Sequence, residues 1–249
     1  MTREGRIRLF VVAGLVGIFE VLCRSGVIAH TVVIPPSEMA RSLWQILISG
    51  AHNADIVSTF LNVLISSALA ISLGFAAGLA IHALPRLRAA IEPLLASYYA
   101  VPTFMFYPIF IVVFGVNARA IIAIAVLLSI VAMIASTLTG LDRIPAVLRK
   151  TARVFRMSVP VRALLIDLPA AAPHLFTGAK LAFAYALIGV IASEFILSGQ
   201  GIGYSIAYAY NNFDNREMYG LMLLVIIVAV SANAGLDVVD RRLQARLRR

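Results

Sequence analysis

The sequence predicts an all-α, polytopic membrane protein with about six transmembrane helices, and three observations predict it. Hydrophobic residues make up 61% of the 249 positions and charged residues only 13%, with a mean hydropathy of +0.94. Ordinary soluble domains are nearer ~45–50% apolar and ~25% charged. Six apolar stretches are each long enough to cross ~30 Å of hydrocarbon as a helix. Finally, the 21 basic residues sit between the apolar runs rather than along one face, so a net charge of +9 does not point to nucleic acid.

The expected spans are Leu9–Ile28, Ile56–Leu84, Ile91–Phe114, Arg119–Leu141, His174–Leu197 and Met218–Val239, within a single permease-like domain of residues 1–249. The first follows Arg3, Arg6 and Arg8, as a signal peptide would. However, its apolar run exceeds the ~7–15 residues of such a leader, and it reads as a retained helix. Between the first two spans, Pro35-Pro36 breaks the chain, Ser37 is a candidate N-cap and Gly50 a stop. Residues 37–49 place Met39, Leu43, Ile46 and Leu47 on one helical face. This predicts a short amphipathic helix, either at the outer membrane surface with Trp44 at the headgroups or packed on protein. Gly74 and Gly78 in the second span have the spacing that permits close helix approach. Pro93, Pro102 and Pro108 predict a third span that is kinked or broken.

Orientation follows from Lys and Arg. With the N-terminus inside, the inner segments hold sixteen basic residues and the outer ones four (Arg24, Arg41, Arg119 and Arg216), with Lys180 inside a span. Both termini are therefore expected in the cytoplasm. Cys23 has no partner for a disulfide, and His30, His52, His82 and His174 are scattered singly, so no metal site is expected.

The polar segment 142–173 carries six basic residues, two acidic ones and four prolines. It reads as two short cytoplasmic helices, Arg149–Phe155 and Val161–Leu168, with Ser158 capping the second and Pro160 in its first turn. A solvated loop touching anionic headgroups is the plain alternative. The order Lys150-Thr151-Ala152, Arg156, Ile166, Leu168-Pro169 resembles the cytoplasmic loop signature of ABC importer permeases: Glu-Ala-Ala, three residues, Gly, nine residues, Ile-x-Leu-Pro. Ala152, Ile166, Leu168 and Pro169 match it in identity. Pro35-Pro36-Ser37, the run from Pro173 to Gly178, Glu194, and Ser198–Tyr204 are also similar to that family. The chain looks closest to the nitrate, sulfonate, taurine and bicarbonate branch.

This resemblance implies a type I ABC importer permease fold and transport of a small organic or inorganic anion. It implies pairing with a second permease copy, two ATPase subunits that hold the ATP and Mg, and an external substrate-binding protein in a bacterial inner membrane. The expected ATPase-coupling residues are Lys150, Ala152, Arg153, Arg156, Ser158, Ile166, Leu168 and Pro169. Lys150, Thr151 and Arg156 depart from the signature. Where the family has Gly, with its access to positive φ, Arg156 is expected to alter docking and to favour an acidic partner surface.

Further candidates carry rival readings. Glu194 and Asn62 are polar groups at membrane depth, and stand either on a translocation pathway or in structural hydrogen bonds. Tyr98, Tyr99, Pro102 and Phe104 form either a gate at a broken helix or a packing cluster. Tyr204, Tyr208, Asn211 and Asn212 are either a binding-protein contact or an interfacial aromatic belt. Gly199, Gly201 and Gly203 follow no strand, and Gly178-Ala179-Lys180 lacks the rest of a phosphate loop, so no cofactor is expected on this chain. A stand-alone secondary transporter or channel would need several buried polar pairs, and an intramembrane enzyme a catalytic constellation. The sequence supplies neither.

Overall fold

The computed structural model describes residues 3–29 and 32–247. Every regular element among them is helical: α1 (Arg3–Arg24), α2 (Pro36–Ser49), α3 (Asn53–Ala83), α4 (Pro85–Ser97), α5 (Tyr107–Phe114), α6 (Ala118–Asp142), α7 (Ala146–Val154), α8 (Val159–Arg162), α9 (Leu168–Leu197), α10 (Ile202–Asn211) and α11 (Asn215–Leu247). His30, Arg248 and Arg249 lie outside the described residues, as do the side chains of Arg3, Arg8, Leu9, Arg242 and Arg246.

Among the described residues, four helices are long and apolar enough to cross a membrane: Asn53–Ala83, Ala118–Asp142, Val159–Ile196 and Asn215–Arg241. The pair Pro85–Ala100 and Thr103–Phe114, bent by 94°, is long and apolar enough only when the two are taken together, so the count is four, or five with this pair as one broken span, against the six expected. The expected third span is therefore broken, at Val101-Pro102, where the chain is extended between two short 3-10 turns. The expected first span falls on α1, which stops at Arg24 rather than Ile28, because the chain turns through Gly26 at φ 77°, and α1 is not among the helices that meet the length and hydropathy of a span.

The core is built by α3, α6 and α9. Lipid offers no hydrophobic reward for helix association, so small residues at the crossings let dispersion do the work. A Cβ at Gly74 would stand 2.8 Å from Met133 Cβ, and one at Gly78 would stand 2.6 Å from Thr137 Cβ. These glycines let α3 lie directly on α6. Buried Ala70, Ala125, Ala182 and Ala186 extend the same close packing.

A second core lies towards the end of the molecule that carries α2 and α10. Leu43 and Ile46 of α2 meet Ile202 and Ile206 of α10 and Leu221 and Leu224 of α11. The amphipathic helix thus packs on protein through one face, while Trp44, Leu47 and Ile48 remain exposed on another. Ser37 is not its N-cap. Pro35 holds that position, and the first turn is capped from α1. Glu20 accepts the Ser37 backbone N–H at 3.0 Å and the Ser37 hydroxyl at 2.7 Å, while Arg24 Nε donates to Glu20 at 2.6 Å.

Segment 142–173 differs from two isolated helices. The first begins earlier than expected, because Pro145 starts the turn that leads into α7. The second never ends. It runs through α8 and a π-helical turn, Ala163–Asp167, straight into α9. The widened turn, in which Leu168 N–H reaches Ala163 C=O, precedes Pro169 and absorbs a proline that would otherwise break the helix.

Candidate functional site

Two groups of the sequence candidates are brought together by the fold, at opposite ends of α9. At one end, α7 projects from the bundle. Ala152, 2% exposed, and buried Ile166 hold it against the root of α9, and Arg149 donates to the Leu141 carbonyl at the end of α6 at 2.7 Å. Two of the four residues identical to the signature therefore face inward, and Leu168 is half-buried. The outward surface is mixed: Val147 and Phe155 are 71% and 70% exposed, beside Lys150, Arg156, Ser158 and Pro169, while Arg153, although exposed, lies one turn from Arg149 on the row that faces α9.

Arg156 adopts the left-handed conformation itself, at φ 47°. Its N–H donates to the Arg153 carbonyl at 3.1 Å and the next, from Met157, to the Ala152 carbonyl at 3.0 Å. This pair of bonds is the Schellman ending that glycine usually provides. The left-handed conformation that an arginine reaches only at a cost is thus adopted here, and Arg156 bears its strain. Ser158 holds the backbone position of an N-cap before α8, without a side-chain cap bond.

At the other end, Glu194 is fully buried and accepts from Thr59 Oγ1 at 2.7 Å, Gly203 N at 3.1 Å and Asn62 Nδ2 at 3.4 Å. Thr59 Oγ1 accepts in turn from Ile202 N at 2.8 Å, and Asp55 accepts from Gly201 N and Ser205 Oγ, both at 2.8 Å. The N–H groups of Gly201, Ile202 and Gly203, which open α10, are thus taken by side chains of α3 and α9. A Cβ at Gly201 would collide with the Glu194 carboxylate, and Gly201 also needs its φ of 105°. Sequence reasoning found Glu194 and Asn62 but missed Asp55 and Thr59. Both lie at i and i+4 in the first turns of α3, and a helical face pairing acid with hydroxyl was the available signal.

The aromatic candidates form a separate group. Tyr98 and Tyr99 meet edge-on at 5.7 Å, and Tyr99 stacks on Tyr185 of α9 at 5.4 Å. Tyr185 was not foreseen. The Tyr98 hydroxyl donates to the Leu127 carbonyl at 2.6 Å, Pro102 is exposed and Phe104 is half-buried. Glu194 lies nine residues along α9 from Tyr185, roughly 13 Å along the axis, so the two halves of the pathway set do not touch. On α10, Tyr208, Asn211 and Asn212 are exposed and Tyr204 half-buried, with the two tyrosine rings 6.1 Å apart. No group of three metal-ligating side chains occurs among the described residues.

A helical membrane bundle with a projecting, signature-bearing α7 between two spans suits a transport component, and comparison with known families decides the matter. Residues 70–249 match the binding-protein-dependent transport system inner membrane component family. The chain belongs to this family. It is 27% identical over 229 residues to the nitrate import permease protein of Leptolyngbya laminosa, covering 88% of this chain and 81% of that one. It is 22% identical over 213 residues to the taurine transport system permease protein of Escherichia coli K12, covering 86% and 74%. Its fold matches a chain of the inward-facing MetNI methionine ABC transporter with a TM-score of 0.68, 16% identity, and coverage of 79% and 97%. This permease is thus a multi-pass membrane protein with the type I importer fold.

Proposed function

We propose that this permease forms the pathway of an ATP-driven importer for a small anion such as a sulfonate or nitrate. The single observation that carries the coupling half of this reading is α7. A nine-residue helix clamped from below by Ala152, Ile166 and Arg149, yet apolar and basic on its free side, is suited to burial in another protein. The occupant is an ATPase subunit, one for each of two permease copies, holding ATP and Mg. An external binding protein delivers substrate at the α10 end, where Tyr204, Tyr208, Asn211 and Asn212 stand. Both termini and α7 face the cytoplasm of a bacterial cell. The anion as substrate is supported by the nitrate and taurine relatives.

In this reading the chain performs no bond chemistry. ATP closes the ATPase pair, the motion enters through α7, and the bundle alternates between outward and inward access past the break at Pro102. The buried polar groups at Glu194 are consumed in mutual hydrogen bonds, which favours a scaffold over the ion relay of a stand-alone transporter. Coexpression with candidate ATPase subunits tests the proposal: a stable complex and substrate-stimulated ATP hydrolysis are expected. Lys150→Glu combined with Arg156→Glu should abolish both. Solute uptake into liposomes by this chain without any ATPase would overturn it.

A further inference from the structure

A cavity of about 570 Å³ opens between the last turns of α3, the end of α6, α7, and the root of α9. Arg149, Arg153, Arg162, His82 and Asp167 line it together with Phe75, Leu79, Val159 and Leu168. Arg149 and Arg153 are one turn apart on α7 and share this inner face, whereas Val147, Lys150 and Val154 form the opposite row. Three guanidinium groups meet one carboxylate, that of Asp167, which Arg162 Nε already contacts at 3.0 Å. The neighbouring Asp142 offsets only part of the excess, because Arg88 holds both of its oxygens at 2.8 and 2.7 Å while His82 and Arg149 share its charge. His82 Nδ1 is buried and makes no hydrogen bond, although Asp142 Oδ1 stands 3.4 Å away. The cavity therefore combines surplus positive charge with an apolar wall.

We infer that this cavity binds the phosphate of an anionic membrane phospholipid, with the head between Arg149, Arg153 and Arg162 and the acyl chains along Phe75, Leu79 and Val159. A basic recess between helices at the end of the spans is the setting in which such headgroups are held. A free phosphate would use the guanidinium groups but leave the apolar wall and most of the volume unfilled. Bound lipid would brace α7 from behind while its outer row remains available to a protein. The inference rests on the proposed function only in placing this end of the bundle at the membrane surface.

Native mass spectrometry of the full-length protein in detergent tests it. Wild type should retain phosphatidylglycerol at least about tenfold more tightly than phosphatidylcholine, and Arg153→Gln combined with Arg162→Gln should remove that preference. Wild type alone gives a second readout that needs no folded variant: high salt should erase the preference, and inorganic phosphate should displace the lipid only at concentrations far above it. The inference is overturned by equal retention of the two lipids, by an undiminished preference in the folded glutamine variant, by salt-insensitive preference, or by displacement with equimolar phosphate. Such a result would leave the ATPase reading standing, since complex formation decides that separately.

Discussion

Arg156 shows how an L-residue can close a helix in the conformation that glycine usually supplies. An L-residue in the left-handed region bears about 1–2 kcal/mol that glycine does not. Arg156→Gly should therefore strengthen the end of α7, slowing amide exchange at Met157 severalfold, whereas Arg156→Val should hasten it. The sequence showed that a glycine was missing there. It could not show that the Schellman bonds survive, because those depend on backbone carbonyls of Arg153 and Ala152 that no side-chain pattern reports. Glu194 makes a second residue-scale case. Alanine there would strand the Gly203 N–H, the Thr59 hydroxyl and the Asn62 amide in a dry interior. Loss of several kcal/mol is expected, on the order of 3–5, visible as a lowered Tm, with Glu194→Gln milder because one acceptor oxygen remains.

Elements were legible where composition decides and illegible where the body of the protein does. The spans α3, α6 and α11 follow from apolar length alone, and the broken third span follows from its prolines. The fusion of α8 to α9 does not, because prolines at 160, 169 and 173 argue locally for interruption, whereas Pro160 stands in the first turn of α8, the π-helical turn precedes Pro169, and Pro173 is carried inside α9. The cap on α2 was equally hidden, since its acceptor, Glu20, lies seventeen residues earlier on another helix. Close packing of α3 on α6 was readable in the Gly74 and Gly78 spacing. Gly78→Ala should push Thr137 aside and destabilise the bundle by roughly 1–3 kcal/mol. Gly14→Ala, with nothing within 4 Å of its added methyl, should leave the Tm unchanged.

At the scale of the whole molecule, charge asymmetry predicts which end faces which compartment. Val147 on α7 and Phe213 beyond α10 are both exposed and lie at opposite ends of the bundle. A cysteine at Phe213 should react with an impermeant maleimide in intact cells, and one at Val147 only after the membrane is opened. Native Cys23 is buried and should contribute little background. Labelling of the two in the reverse pattern would invert the topology. The division of the chain into two polar ends was legible from the sequence. The pairing of Tyr99 with Tyr185, and of Asp55 with the opening of α10, was not, because each joins residues far apart in the chain.

The uninterrupted rod from Val159 to Ile196 has one mechanical consequence. A helix of that length reaches on the order of 55 Å. Its near end carries the anchorage of α7, and its far end, through the Glu194 carboxylate, is fastened to α10. A stroke applied at the near end reaches the far face as tilt of a stiff lever, with no relay of rearranging contacts in between. The π-helical turn and Pro173 both lie near the driven end, so any bending of the rod would be concentrated there, ahead of its membrane-spanning length.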